Sequence, residues 1–159
     1  MKQLKNLLLI ALFSLFLAAC GDKTADMKAD VDALQQTLNT VLKQENGSAL
    51  IQQLESAQTA EDKTKAYAAI IDNYKMVVKS IGELKIKTEE VKKVQAQYDA
   101  GLKSFIDLMQ QSSDYVTQQP TPEQIKAYTE LQAKTTQSLS DAEKALADLK
   151  AQIEAAQKK

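Results

Sequence analysis

The segment Gln119-Pro120-Thr121-Pro122-Glu123-Gln124 decides how this chain folds. Pro120 ends a helix arriving from its N-terminal side, because it has no N–H and its ring collides with the preceding turn. Thr121 then serves as the N-cap of the next helix. Pro122 fits the first helical position, where its missing N–H costs nothing, and Gln124 at the third position completes a capping box. A stop followed at once by a start predicts two antiparallel helices joined by a short turn.

Downstream, Ile125, Tyr128, Thr135, Leu139, Ala142, Leu146, Leu149 and Ile153 hold a seven-residue register, so one long helix runs nearly to Lys159. At 1.5 Å per residue it spans about 50 Å. Upstream, Val91, Val94, Tyr98, Leu102, Phe105 and Leu108 draw another stripe, which Ile106 and Met109 widen and Val116 continues. Gly101 lies beside this stripe and permits close helix contact or a slight kink. Thr88-Glu89-Glu90 starts that helix with a cap and two acids in the first turn.

Before it, Tyr67, Ile70, Tyr74, Val77, Ile81 and Leu84 keep a strict three-four alternation, weakened at Gly82 and Lys85-Ile86-Lys87. Thr59-Ala60-Glu61-Asp62 resembles a capping box with Asp in place of Glu, which puts a break near Gln58. Ser48 caps a shorter stretch with Leu50, Leu54 and Ala57 on one side; whether 48–84 is one bent helix or two stays open. The first helix is capped by Asp22 or Thr24, carries Met27, Val31, Leu34, Leu38 and Val41, and stops at Asn46-Gly47.

Four Gly, two Pro and no Trp in 159 residues leave strong helix formers nearly everywhere. The fold class is all-α: an up-and-down antiparallel bundle of three to four long amphipathic helices, in one domain over residues 24–159. Sustained heptads also allow an intermolecular coiled coil. The proline turn and the Ala and Thr of the last register favour a compact monomer.

Lys2 and Lys5 followed by the apolar run Leu7 to Ala19 form the layout of a signal peptide, predicted to be removed as residues 1–19. The run is shorter than the roughly 20 residues that span a bilayer. Leu17-Ala18-Ala19-Cys20 resembles the lipobox of bacterial lipoproteins. The resemblance implies that Cys20 is acylated and that 20–23 form a short tether; two acyl chains suffice for stable anchoring. Cys20 is the sole cysteine, so it has no disulfide partner within the chain. The resemblance also implies sorting: aspartate directly after the cysteine favours inner-membrane retention, whereas Gly21 stands there, so the periplasmic face of the outer membrane is expected in a host with two membranes.

Loss of Lys2 and Lys5 takes the formal charge from −1 to −3, and every cation is lysine. Near-balanced charge without the bidentate arginine fork disfavours nucleic acid. His is absent, which removes Cys–His and Ser–His nucleophile pairs, His-based zinc sites and Glu-x-x-His di-iron ligands. The acidic pairs Asp26/Asp30, Glu61/Asp62 and Glu89/Glu90 fall at helix starts or on polar faces, where dipole and solvation account for them. We therefore expect no enzyme activity, no cofactor and no metal.

An anchor at Cys20 orients the bundle. With alternating helices, the turn at 85–88 and the C-terminus return to the membrane, bringing Lys85, Lys87, Lys92, Lys93, Lys158 and Lys159 toward anionic headgroups; solvated lysines that complement helix C-termini are the plainer reading. The opposite end holds Asn46-Gly47, Gln58-Thr59 and 110–121, where Asp114 is the lone charge. Tyr115, Gln118 and Gln119 there are the candidate partner contacts. The expected function is a membrane-anchored, non-catalytic envelope module that binds a protein partner, an inhibitor or immunity role being one concrete form. The alternatives are an envelope tether, since Lys159 is similar in position to the terminal lysine of the major murein lipoprotein, and a carrier of an apolar ligand within the bundle.

Overall fold

The computed structural model describes residues 23–40 and 46–158, and all regular structure among them is helical. Helix α1 is described over 23–40, followed by α2 (Asn46–Ser56), α3 (Ala60–Gly82), α4 (Glu89–Asp114) and α5 (Pro122–Gln157). The predicted leader, Cys20 and Lys159 lie outside the described residues.

The two predicted capping boxes differ in completeness. At α5, Gln124 N–H donates to Thr121 Oγ1 (3.3 Å) and Thr121 N–H donates to Gln124 Oε1 (2.8 Å), a full capping box. At α3, Asp62 N–H donates to Thr59 Oγ1 (3.1 Å), but the shorter Asp62 carboxylate accepts from the Thr59 hydroxyl (2.7 Å) instead of the Thr59 backbone. The break at 57–59 makes α2 and α3 two helices, with α2 packed on α3.

Helices α3, α4 and α5 form an antiparallel series in which α4 packs on both neighbours. Tyr74 meets Phe105 across α3 and α4, with ring centroids 4.5 Å apart. Helix α1 adds the fourth long element. Its Val31, Leu34 and Leu38 are buried with Val77 and Ile81 of α3, Val91, Val94, Tyr98 and Leu102 of α4, and Ala142, Leu146, Leu149 and Ile153 of α5. Every one lies on a stripe predicted from periodicity. Full burial of such aliphatic side chains contributes roughly 1.5–3 kcal/mol each, so this half of the bundle carries the main core. At Gly101 α4 and α5 approach closely: a Cβ there would stand 2.7 Å from Leu139 Cδ2.

Several expectations are corrected. Thr24 lies within α1, and Asn46, Gly47 and Ser48 lie within the first turn of α2, so neither a left-handed C-cap at Asn46-Gly47 nor a Ser48 cap is found. Helix α4 ends at Asp114, ahead of Pro120; the chain winds one further turn, with Gln118 N–H bonded to the Asp114 carbonyl at 3.0 Å. Val116 lies in that turn, beyond the helix. Ile125, placed on the core stripe by its register, is 51% exposed because α5 has begun before the bundle reaches it.

Candidate functional site

The end of the bundle at the start of α1 is built around Asp30, expected to be a solvated helix-start acid and found buried, at 6% exposure. Thr88 occupies the N-cap of α4 with extended backbone, yet its side chain makes no cap within its own helix. Its hydroxyl donates instead to Asp30 Oδ2 (2.8 Å), and the N–H groups of Thr88 (2.7 Å) and Lys87 (3.0 Å) donate to the same oxygen. Lys87 Nζ reaches Asp26 Oδ1 at 3.0 Å, and Lys23 Nζ reaches Glu90 Oε1 at 2.8 Å. The hydrogen bond and charge of Asp26 raise the Lys87 pKa above the ordinary lysine range. The bond from Lys23 lowers that of Glu90. Helix α1 thereby clamps the α3–α4 connection.

This is the end of the bundle nearest to Cys20 in sequence. Cys20 precedes Lys23 by three residues, which span at most about 11 Å. Of the six predicted membrane-facing lysines, Lys87 is held by Asp26 and Lys92 by Glu89 (2.6 Å). Lys85, Lys93 and Lys158 are exposed and make no ion pair among the described residues.

The distal half is looser. Tyr115, the first candidate contact, is half-buried, its ring set edge-on to Tyr128 with centroids 5.9 Å apart. It also lines a shallow hollow where Leu54 of α2, Tyr67 of α3 and Ser112 of α4 meet. Gln118 and Gln119 are exposed in the connection to α5. Residues 122–134 of α5 contain no buried side chain; Tyr128 ties this arm to α4 through a 2.8 Å hydrogen bond between its hydroxyl and that of Ser112.

Between α4 and α5, distal to Gly101, lies an open groove of about 390 Å³ lined by Phe105, Leu108, Met109, Tyr128, Thr135 and Leu139 together with the polar Gln132, Thr136, Ser140 and Glu143. Thr135 is 2% exposed and its hydroxyl has no hydrogen-bond partner. The neighbouring Thr129 and Thr136 hydroxyls donate to carbonyls four residues back, at 2.9 and 3.0 Å. An unsatisfied buried hydroxyl costs about 1–3 kcal/mol. Register alone marks Thr135 as a core position; its orphan hydroxyl and the groove required the packing of α4.

Among the described residues, no group of His, Cys, Asp and Glu is arranged to hold a metal ion, and no helix is long and apolar enough to cross a membrane. Comparison with known proteins gives no match among curated proteins and none among solved structures. A family model described as "Uncharacterised lipoprotein PM1805" matches residues 28–157, which is the whole bundle from within α1 to the end of α5. The match excludes the lipobox, so helices and leader point independently to a lipid-anchored protein of the cell envelope. The chain belongs to this family of bacterial lipoproteins.

Proposed function

We propose that this lipoprotein is a non-catalytic module, held at the outer membrane through acylated Cys20, that docks a protein partner with the distal end of its bundle. The observation that carries this reading is the α5 arm. A helix in water draws most of its stability from packing an amphipathic face, yet 122–134 bury no side chain, and Ile125 is left 51% exposed beside the half-buried Tyr128 and Leu131. Ile125 is the apolar anchor that such an arm offers to a partner's groove, while Tyr128 is turned to Ser112 of α4. Gln118 and Gln119 stand at the foot of the arm, and Tyr115 braces it through Tyr128. An inhibitor or immunity role suits such a surface, since it requires only a rigid interface and an anchor.

Photo-crosslinkers placed singly at Gln118, Gln119, Ile125 and, for contrast, Lys85 test this in the lipidated protein within its own envelope. The reading expects one discrete protein adduct from the distal positions, lost on Ile125→Ala at the neighbouring probes and absent from Lys85. Adducts that are missing distally, or equally strong at Lys85, overturn it.

A further inference from the structure

The groove between α4 and α5 is separate from the arm's outer surface and has its own chemistry. Its walls are Phe105, Leu108 and Met109 on one helix and Leu139 on the other, with Tyr128 toward the distal end. Its volume of about 390 Å³ lies within the range of small-molecule sites. Within this apolar lining Thr135 is almost wholly buried, and its hydroxyl, unlike those of Thr129 and Thr136, is not returned to the helix backbone. This hydroxyl lacks an acceptor and is shut off from solvent, so a chain that enters the groove must part the side chains covering it to supply one. The one charged residue of the lining is Glu143, which disfavours a carboxylate or phosphate beside it. The occupant that fits is an apolar chain bearing an uncharged acceptor.

We propose that this groove binds one acyl chain of a neutral lipid, with the Thr135 hydroxyl donating to the ester carbonyl. The site goes beyond the protein-docking reading and does not depend on it.

The test uses the full lipidated protein in nanodiscs with a diazirine-bearing monoacylglycerol, followed by mapping of the labelled peptides. Saturable labelling is expected in 105–109 and 128–139. Thr135→Val, which removes the hydroxyl at constant shape, should weaken it about five-fold, and Thr135→Ser should retain it. Met109→Trp, which fills the groove, should abolish labelling while the helical circular-dichroism signal is kept. A fatty acid of equal chain length should compete at least about five-fold less well than unlabelled monoacylglycerol, since its carboxylate meets Glu143. Labelling that is non-saturable, that maps elsewhere, or that Thr135→Val leaves unchanged overturns the site. Equal competition by the fatty acid overturns the neutral-lipid assignment.

Discussion

Asp30 and Thr88, on helices separated by two others in sequence, are joined twice: Asp30 Oδ2 accepts both the Thr88 N–H at 2.7 Å and the Thr88 hydroxyl at 2.8 Å. The carboxylate of α1 thus caps α4 from outside, in a position that also suits the positive end of the α4 dipole. Asp30→Ala leaves the Thr88 groups and the Lys87 N–H without an acceptor in a buried site. It should lower stability by about 3 kcal/mol. Asp30→Asn keeps an acceptor oxygen but loses the charge, and should cost about 1 kcal/mol. Urea unfolding reads both as shifts of the midpoint at constant slope; a loss for Asp30→Ala no larger than that of an exposed acid would refute the clamp.

Alkaline pH should loosen the bundle through Tyr98. Burial, with Glu143 adding to it, pushes this phenol up to about 12. The unfolded chain releases the same proton near pH 10, so unfolding releases a proton between these values and stability falls as pH rises through the window. The loss attributable to Tyr98 should be on the order of 2 kcal/mol by pH 12. Lys87 acts in the same direction: its raised pKa contributes stability that is present below the ordinary lysine range and lost as pH climbs through the folded value. Tyr98→Phe should flatten the slope, leaving the part due to Lys87 and to Tyr74, which burial also raises. Urea midpoints measured across this range check it, with tyrosinate absorbance following the ionisation.

What could be read from the sequence was the part governed by local rules. The stripes of α3, α4 and the second half of α5 follow from a period of 3.6, and the Thr121 box from four adjacent residues. Asp30 escaped because its partners are 57 and 58 positions away, and in isolation an acid near a helix start has a sufficient explanation in the dipole. Ile125 escaped because periodicity says which face of a helix is apolar, not how far its neighbours extend. Asn46-Gly47 tolerates the left-handed backbone of a C-cap but does not require it, and here it opens α2 instead. Thr135 was legible as a core position, while its lack of an acceptor depends on where α4 packs.

Gly101 and Leu139 should be coupled. Alanine is favoured over glycine within a helix by about 1 kcal/mol. At Gly101, however, the new Cβ would stand 2.7 Å from Leu139 Cδ2 and 3.0 Å from Cγ, so Leu139 must shift toward the groove that it lines. Gly101→Ala in the native background should therefore gain nothing measurable. In a Leu139→Ala background the obstruction is gone, and Gly101→Ala should stabilise by about 1 kcal/mol. Thermal or urea unfolding of the four variants gives the coupling energy directly, and strict additivity would show that the close approach carries no cost.

If Cys20 carries the proposed anchor, the ion pairs at the α3–α4 connection decide which lysines see the membrane. Lys87 and Lys92 are already paired with Asp26 and Glu89, so their charges are largely answered within the protein. Lys85, Lys93 and Lys158 make no ion pair among the described residues and are exposed. A lysine near an anionic surface gains up to about 1 kcal/mol. Changing these three to glutamine should therefore tilt the bundle relative to the bilayer. A spin label at Gln118 in the lipidated protein reports that tilt as a changed distance to headgroup labels. The change should occur in nanodiscs containing anionic lipid and vanish in zwitterionic ones or at high salt. Lys87→Gln with Lys92→Gln should move the label far less. If the two sets act alike, headgroup attraction does not orient the domain, and the short tether from Cys20 to α1 is left as the element that does.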